Sequence, residues 1–180
     1  MNIIWKIRLP RVLMAGILGG ALALSGFLLQ TFFSNPIAGP YVLGISSGAK
    51  MMVALAMIIF LKYYTLVSSY ILIIAAFIGS MLSIGFILLL ARKIRNMATL
   101  LVGGIMIGYI CSAVTDFVVT FAEDSDIVNL HGWSQGSFSG MSWSNVKVAA
   151  LMVGITLILT FFLSKPIGAY QLGEMYAQSM

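Results

Sequence analysis

Charged side chains along this chain fall into short clusters separated by long apolar runs. Val12 to Ala49 carries no charge. A membrane-crossing helix needs only about 20 apolar residues for ~30 Å of hydrocarbon, so this run is too long for one helix. Asn35-Pro36-Ile37-Ala38-Gly39-Pro40 divides it, because two prolines and a glycine interrupt a helical hydrogen-bond ladder. The pattern predicts a first span near 10–33 and a second near 41–61. Tyr63 to Ala91 is again uncharged and predicts a third span near 67–91, ended by Arg92, Lys93 and Arg95. Asn96 to Thr115 opens a fourth, near 98–121, and Val148 to Ser164 forms the centre of a fifth, near 144–164, which Lys165-Pro166 stops. The runs lack the period-2 alternation of barrel strands, and only helices or closed barrels satisfy their backbone in lipid. The expected fold is therefore an all-α integral membrane protein of about five transmembrane helices.

Residues 122–143 break the pattern with Glu123, Asp124, Asp126, His131, Trp133 and Trp143 among glycines and serines. They read as an outer or interfacial loop, with room for a short helix and with tryptophans suited to the headgroup level. Composition agrees: 61% of the 180 residues are hydrophobic and 8% charged, and mean hydropathy is +1.05. A soluble domain carries about 25% charged residues, so a water-soluble globule is excluded, and so is disorder. The net charge of +5 comes from ten scattered basic residues, not a continuous stripe, which argues against nucleic acid. Cys111 is the only cysteine, which excludes an internal disulfide and a CxxC site. The first apolar run is too long for the core of a signal peptide.

Small residues recur every four positions, as in Ala15/Gly19/Ala23, Gly16/Gly20, Gly44/Gly48, Ala75/Gly79/Ser83 and Gly104/Gly108/Ser112. Such stripes let helices approach closely in lipid, and most are read here as packing within a bundle. Charge does not orient the chain. The positive-inside rule places Arg92, Lys93 and Arg95 in the cytoplasm, but alternation then puts Lys6, Arg8 and Arg11 outside, against the same rule. A basic segment held outside suggests docking of an acidic partner.

One collinear set of segments is more specific. Ile7-Arg8-Leu9-Pro10-Arg11 is followed by a small-residue-rich helix, then Asn35-Pro36-Ile37-Ala38 and Leu43-Gly44-Ile45-Ser46-Ser47-Gly48-Ala49. Arg92-Lys93, Leu100-Leu101-Val102-Gly103-Gly104, Gly136-Ser137-Phe138-Ser139-Gly140 with Trp143, and Leu172-Gly173-Glu174 with Ala177 and Ser179 come after it in order. Together they resemble the FecCD/BtuC family, the permease subunits of ABC importers for ferric siderophores, haem and vitamin B12. The resemblance implies a single, partial permease domain of BtuC-like (type II ABC importer) fold over 1–180. It also implies one helix before the Arg-Leu-Pro-Arg segment and several after 165–180, the start of a cytoplasmic coupling segment. The chain is then an N-terminal-half fragment or a truncated product. The missing first helix would carry the N-terminal segment outward and resolve the charge conflict.

The resemblance assigns roles residue by residue. Arg8 and Arg11 stand where the family docks its extracytoplasmic substrate-binding protein, and guanidinium forks suit acidic partners. The plainer alternative for both is a snorkelling interfacial anchor. Asn35 and Ile37 stand at the cytoplasmic gate, with Met97 and Ala98 as a second constriction that departs from the family's small polar residues. The alternative is a simple Asn-Pro turn. Gly173, Glu174 and Ala177 stand where the family contacts its ATPase, the alternative being a solvated tail. Asp116 is a candidate pathway residue, because an ionisable group inside a span is a functional hypothesis by default. It equally suits a wet helix end. The 12 methionines read as packing.

Nothing in the chain suggests an enzyme. It holds no Gly-x-x-x-x-Gly-Lys loop, so ATP hydrolysis is expected on separate ABC ATPase subunits. Its one histidine and five acids form no catalytic set. No cofactor and no metal site are expected. The reading is a multi-pass permease of a prokaryotic cytoplasmic (inner) membrane. It would pair with a second copy or a homologous permease, and move a metal chelate (ferric siderophore or haem) or a corrinoid delivered by the binding protein. The alternatives are a non-transport membrane scaffold, built on the small-residue stripes, and a secondary transporter driven by an ion gradient. The latter would want paired charges at the membrane midplane.

Overall fold

The computed structural model describes residues 3–61, 69–94 and 96–172. Among the described residues, seven α-helices follow a π-helical turn at Ile4–Arg8: α1 Leu9–Phe33, α2 Ile45–Leu61, α3 Ser69–Ala91, α4 Met97–Val119, α5 Asp124–Gln135, α6 Trp143–Phe162 and α7 Ser164–Gln171. There is no strand among the described residues, and the all-α membrane fold read from the pattern is the fold observed. Among the described residues, four helical segments are long and apolar enough to cross a bilayer: Ile4–Phe33, Tyr70–Ala91, Met97–Val119 and Trp143–Phe162. The remaining apolar helix, α2, is described over Ile45–Leu61. It starts later than expected because the break after α1 runs on to Gly44, past Pro40 where the second span was expected to begin.

Contacts divide the chain into two compact units, Met1–Pro36 with Ser137–Met180, and Ile37–Gly136. In the first unit, α1 packs against α6 and, at its far end, α7. Pro10, in the first turn of α1, costs no hydrogen bond there. α1 ends in a Schellman motif, with Ser34 N–H donating to Thr31 O and Asn35 N–H to Gln30 O. Ser34 occupies the left-handed position with φ 47°, where glycine is usual. The glycine stripe of α1 is open: a Cβ placed on Gly16, Gly19, Gly20 or Gly26 would meet nothing within 4 Å.

In the second unit, α2 packs between α3 and α4, and α5 lies on α2. Here the small-residue stripes are used. Gly48 lies against Gly79 and Ser83, and Gly44 against Gly104 and Gly108. Without side chains to separate them, the backbones come into direct contact, the close approach that drives helix association in lipid. The core is Val53, Ala54, Ala56 and Met57 of α2, Ala75 of α3 and Leu130 of α5. α4 is capped by Asn96, whose side-chain oxygen accepts from the N–H groups of Ala98 and Thr99. α5 carries Asp124 and Asp126 in its first turn, where the helix dipole favours acids. It falls within the segment read as an outer loop with room for a short helix.

Candidate functional site

The two ends of α1 carry different chemistry. At its N-terminal end, Arg8 is exposed and Arg11 half-buried. Arg11 donates from Nη2 to the carbonyl of Ser139, while its Nε is buried without a partner among the described residues. The indole N–H of Trp143 donates to the carbonyl of Trp5 at 3.0 Å, and the two rings lie 5.6 Å apart. These contacts tie the first turn to the 137–143 segment. Arg11 is thus partly committed to holding the loop, and Arg8 is the guanidinium left facing outward. Trp143 sits in this clamp.

At the other end of α1, about 36 Å from Arg11 at 1.5 Å per residue, Asn35 lines a cleft of about 320 Å³ with Gln30, Thr31, Ser34, Pro36 and Gln171. Gln171 Nε2 donates to Thr31 Oγ1 at 3.1 Å, and the ring of Tyr170 stacks on Phe32 with centroids 6.1 Å apart. α7 is therefore latched to the last turn of α1, beside Asn35. Gly173, Glu174 and Ala177 lie outside the described residues, but α7 leads directly into them.

Ile37 belongs to the second unit and is 71% exposed. Ala38 and Leu43 are each 1% exposed, so these two residues anchor the break. Met97 is half-buried and Ala98 exposed in the first turn of α4. Asp116 is exposed in the last turn of α4, and its carbonyl accepts from Thr120 Oγ1. Met97 and Ala98 therefore lie about 27 Å from Asp116 along one helix. Of the predicted residues, the structure places Arg8 with Arg11, and Met97 with Ala98. Asn35 and Ile37 fall in different units, and Asp116 stands apart from the rest.

The depth at which α2 starts is the feature that the pattern did not show. Gly79 and Ser83 are at the middle of α3, and Gly104 and Gly108 are near the middle of α4. Gly44 and Gly48 touch these residues, so α2 begins half-way along its neighbours. The turns at 37–44 precede it as irregular backbone at the same level. Non-helical backbone at membrane depth is tolerated where it is buried in protein or lines a wet cavity. Gly44 makes the entry possible, with φ +71° and with Gly108 N only 2.6 Å from where a Cβ would sit.

From that level, α2 presents a polar face. Tyr41, Ser46, Ser47 and Lys50, with Trp133 and Ser134 of α5, line a cleft of about 430 Å³. α5 reaches this level because Leu130 and Trp133 pack on the α2 core. Lys50 is exposed, and among the described residues no carboxylate lies within ion-pair distance of it. A lysine turned to lipid at the helix centre costs about 2.5–3.5 kcal/mol, which argues that this face meets water. Sequence reasoning passed over Lys50, although it is the only charge between Val12 and Leu61. That isolation was the available signal. No group of three or more metal-ligating side chains occurs among the described residues.

A family model described as the FecCD transport family matches residues 1–180. The hemin transport system permease protein HmuU of Yersinia pestis is 38% identical over 173 residues, 95% of this chain and 52% of that protein. The vitamin B12 import system permease protein BtuC of Klebsiella pneumoniae is 34% identical over 179 residues, 98% of this chain and 52% of that protein. The chain thus spans about half the length of these relatives. A solved metal-chelate type ABC transporter in an inward-facing conformation shares the fold, with a TM-score of 0.85 and 24% identity over 99% of this chain and 56% of that one. With a match along its whole length and relatives above 30% identity, the chain belongs to the FecCD transport family.

Proposed function

We propose that this chain forms part of the permease subunit of an ATP-binding-cassette importer in a prokaryotic cytoplasmic membrane. The observation that carries the reading is the family match over all 180 residues. The substrate class is a metal chelate, a ferric siderophore or haem, or a corrinoid. HmuU and BtuC, similar along nearly the whole chain, are named for hemin and vitamin B12. The working assembly pairs two permeases, two separate ATPases and an extracytoplasmic binding protein. ATP is hydrolysed on the ATPases, and the permease supplies the pathway.

The two ends of α1 support a division of labour. Arg8 contacts acidic groups on the binding protein, and Arg11 holds the Ser139 loop beside it. Asn35 at the far end, with Ile37, Met97 and Ala98, closes the cytoplasmic mouth. Gly173, Glu174 and Ala177 receive the ATPase. Movement there reaches Asn35 through α7, because Gln171 and Tyr170 grip Thr31 and Phe32. Packed helices switch between discrete arrangements instead of deforming smoothly, so a shift of α7 re-sets the Schellman turn. Asp116 contributes to the wet mouth of the pathway at the opposite end of α4.

The test is ATP-dependent uptake of radiolabelled haem, ferric siderophore and cobalamin by vesicles holding the full-length permease with its ATPases and binding protein. Uptake of at least one, abolished by an ATPase-inactive variant, is expected. Uptake of none, or uptake driven by an ion gradient without ATP, overturns the reading.

A further inference from the structure

We propose that Lys50 is a charge-selecting residue of the pathway, pairing with an anionic group of the chelate as it passes. This rests on the importer reading and adds a substrate property to it, negative charge presented as carboxylate or a similar anion. Three observations converge. First, Lys50 stands about 16 Å from the Leu61 end of α2. It is close to the level of Gly79 and Gly108, the middle of the two helices that flank it. Second, its surroundings are built for a polar ligand. Ser46 and Ser47 lie one turn before it on the same helix, and Tyr41 and Ser134 add two more hydroxyls around one cleft. Third, among the described residues no carboxylate lies within ion-pair distance of the ammonium.

The geometry also suggests how the ligand is oriented. Tyr41 is 74% exposed, and Trp133 borders the same cleft. Two aromatic faces beside a cation suit a flat, largely apolar body with an acidic rim. Aromatic surface contributes area at low entropy cost, and a few placed polar groups fix orientation. An ammonium is a compact point charge. It can attract a carboxylate without the bidentate fit that would hold a transported molecule too long.

The experiment places a reporter thiol at Ser134, which lines the cleft from α5, in full-length permease assembled with its ATPases. Cys111 and any other reactive cysteine are replaced. Rates of S134C modification are measured with an anionic and a cationic methanethiosulfonate. The reagents are similar in size, and Lys, K50Q and K50R backgrounds are compared. K50Q should lower the anionic-to-cationic rate ratio by about tenfold, the effect of losing one nearby charge in a partly screened site, and K50R should restore it. Haemin should then protect S134C at lower concentration than its dimethyl ester, which lacks the free carboxylates, and K50Q should erase that difference. An unreactive thiol, or a ratio unchanged by K50Q, overturns the wet charged site. A changed ratio with equal protection by haemin and its ester overturns the assignment to anionic chelates. Loss of ATP-driven uptake in the wild type, measured separately, would sink the importer reading, whereas retained uptake with either negative result would sink only the role of Lys50.

Discussion

Replacing Gly44 with alanine should strongly destabilise the second unit. Two independent costs add. With φ at +71°, Gly44 holds a conformation that L-residues resist, at about 1–2 kcal/mol. The new Cβ would also lie 2.6 Å from Gly108 N, 2.7 Å from Gly108 Cα and 2.9 Å from Gly104 O. All three are backbone atoms, so no rotamer change relieves the clash, and overpacking typically costs about 1–3 kcal/mol. The sum is about 2–5 kcal/mol, or a fall in Tm of about 4–20 °C for a domain of this size. The control is Gly39→Ala, where a Cβ would meet nothing within 4 Å. It should change Tm by no more than about 2 °C, since loop alanines at compatible angles are neutral or mildly stabilising. Both are read by fluorescence-detected thermal unfolding of the detergent-solubilised protein. Equal Tm values for G44A and G39A would refute the claim that α2 enters at the middle of α4 by backbone contact.

Four further outcomes follow from the first unit. Ser34→Gly should raise Tm by about 2–4 °C, since it relieves roughly 1 kcal/mol of left-handed strain in the Schellman turn. An unchanged or lower Tm would refute that strain. Arg11→Ala should lower stability by about 1–3 kcal/mol through the lost bond to Ser139. Arg8→Ala should leave stability alone but weaken binding-protein affinity about 10- to 100-fold, as for one charge-assisted contact; surface plasmon resonance on the assembled transporter separates the two. Substituting Gln171 and Tyr170 together by alanine should cut uptake about 3- to 30-fold, the range for coupling energies of about 0.5–2 kcal/mol. ATP hydrolysis should continue, and its parallel loss would point to misassembly instead.

How far the chain could be read from its letters differs between levels. Lipid-phase helices were legible because the cost of placing each residue in hydrocarbon is local and large, so Arg92-Lys93 and Lys165-Pro166 mark ends without reference to anything distant. α3 and α4 emerge as helices over Ser69–Ala91 and Met97–Val119, beside expectations of 67–91 and 98–121. The family was legible for a related reason: its segments are short and carry their order with them.

Depth and partnership were not legible, because they depend on which backbones touch. Asn-Pro-Ile-Ala-Gly-Pro announces a break, but only the seating of Gly44 on Gly108 and of Gly48 on Gly79 shows that α2 resumes at mid-height. The stripes of α2, α3 and α4 meet one another at particular residues, a pairing no spacing rule contains. Nothing in the spacing joins Lys50 to Trp133. The fold brings them to one cleft because α5 turns back along α2 on Leu130. Sequence alone determined which segments leave water, where they break and which family they belong to, since these follow from local transfer energies and local motifs. Tertiary structure alone decided which small residues meet, how deep the break lies and which polar groups face one another, since these follow from contacts between residues far apart in the chain.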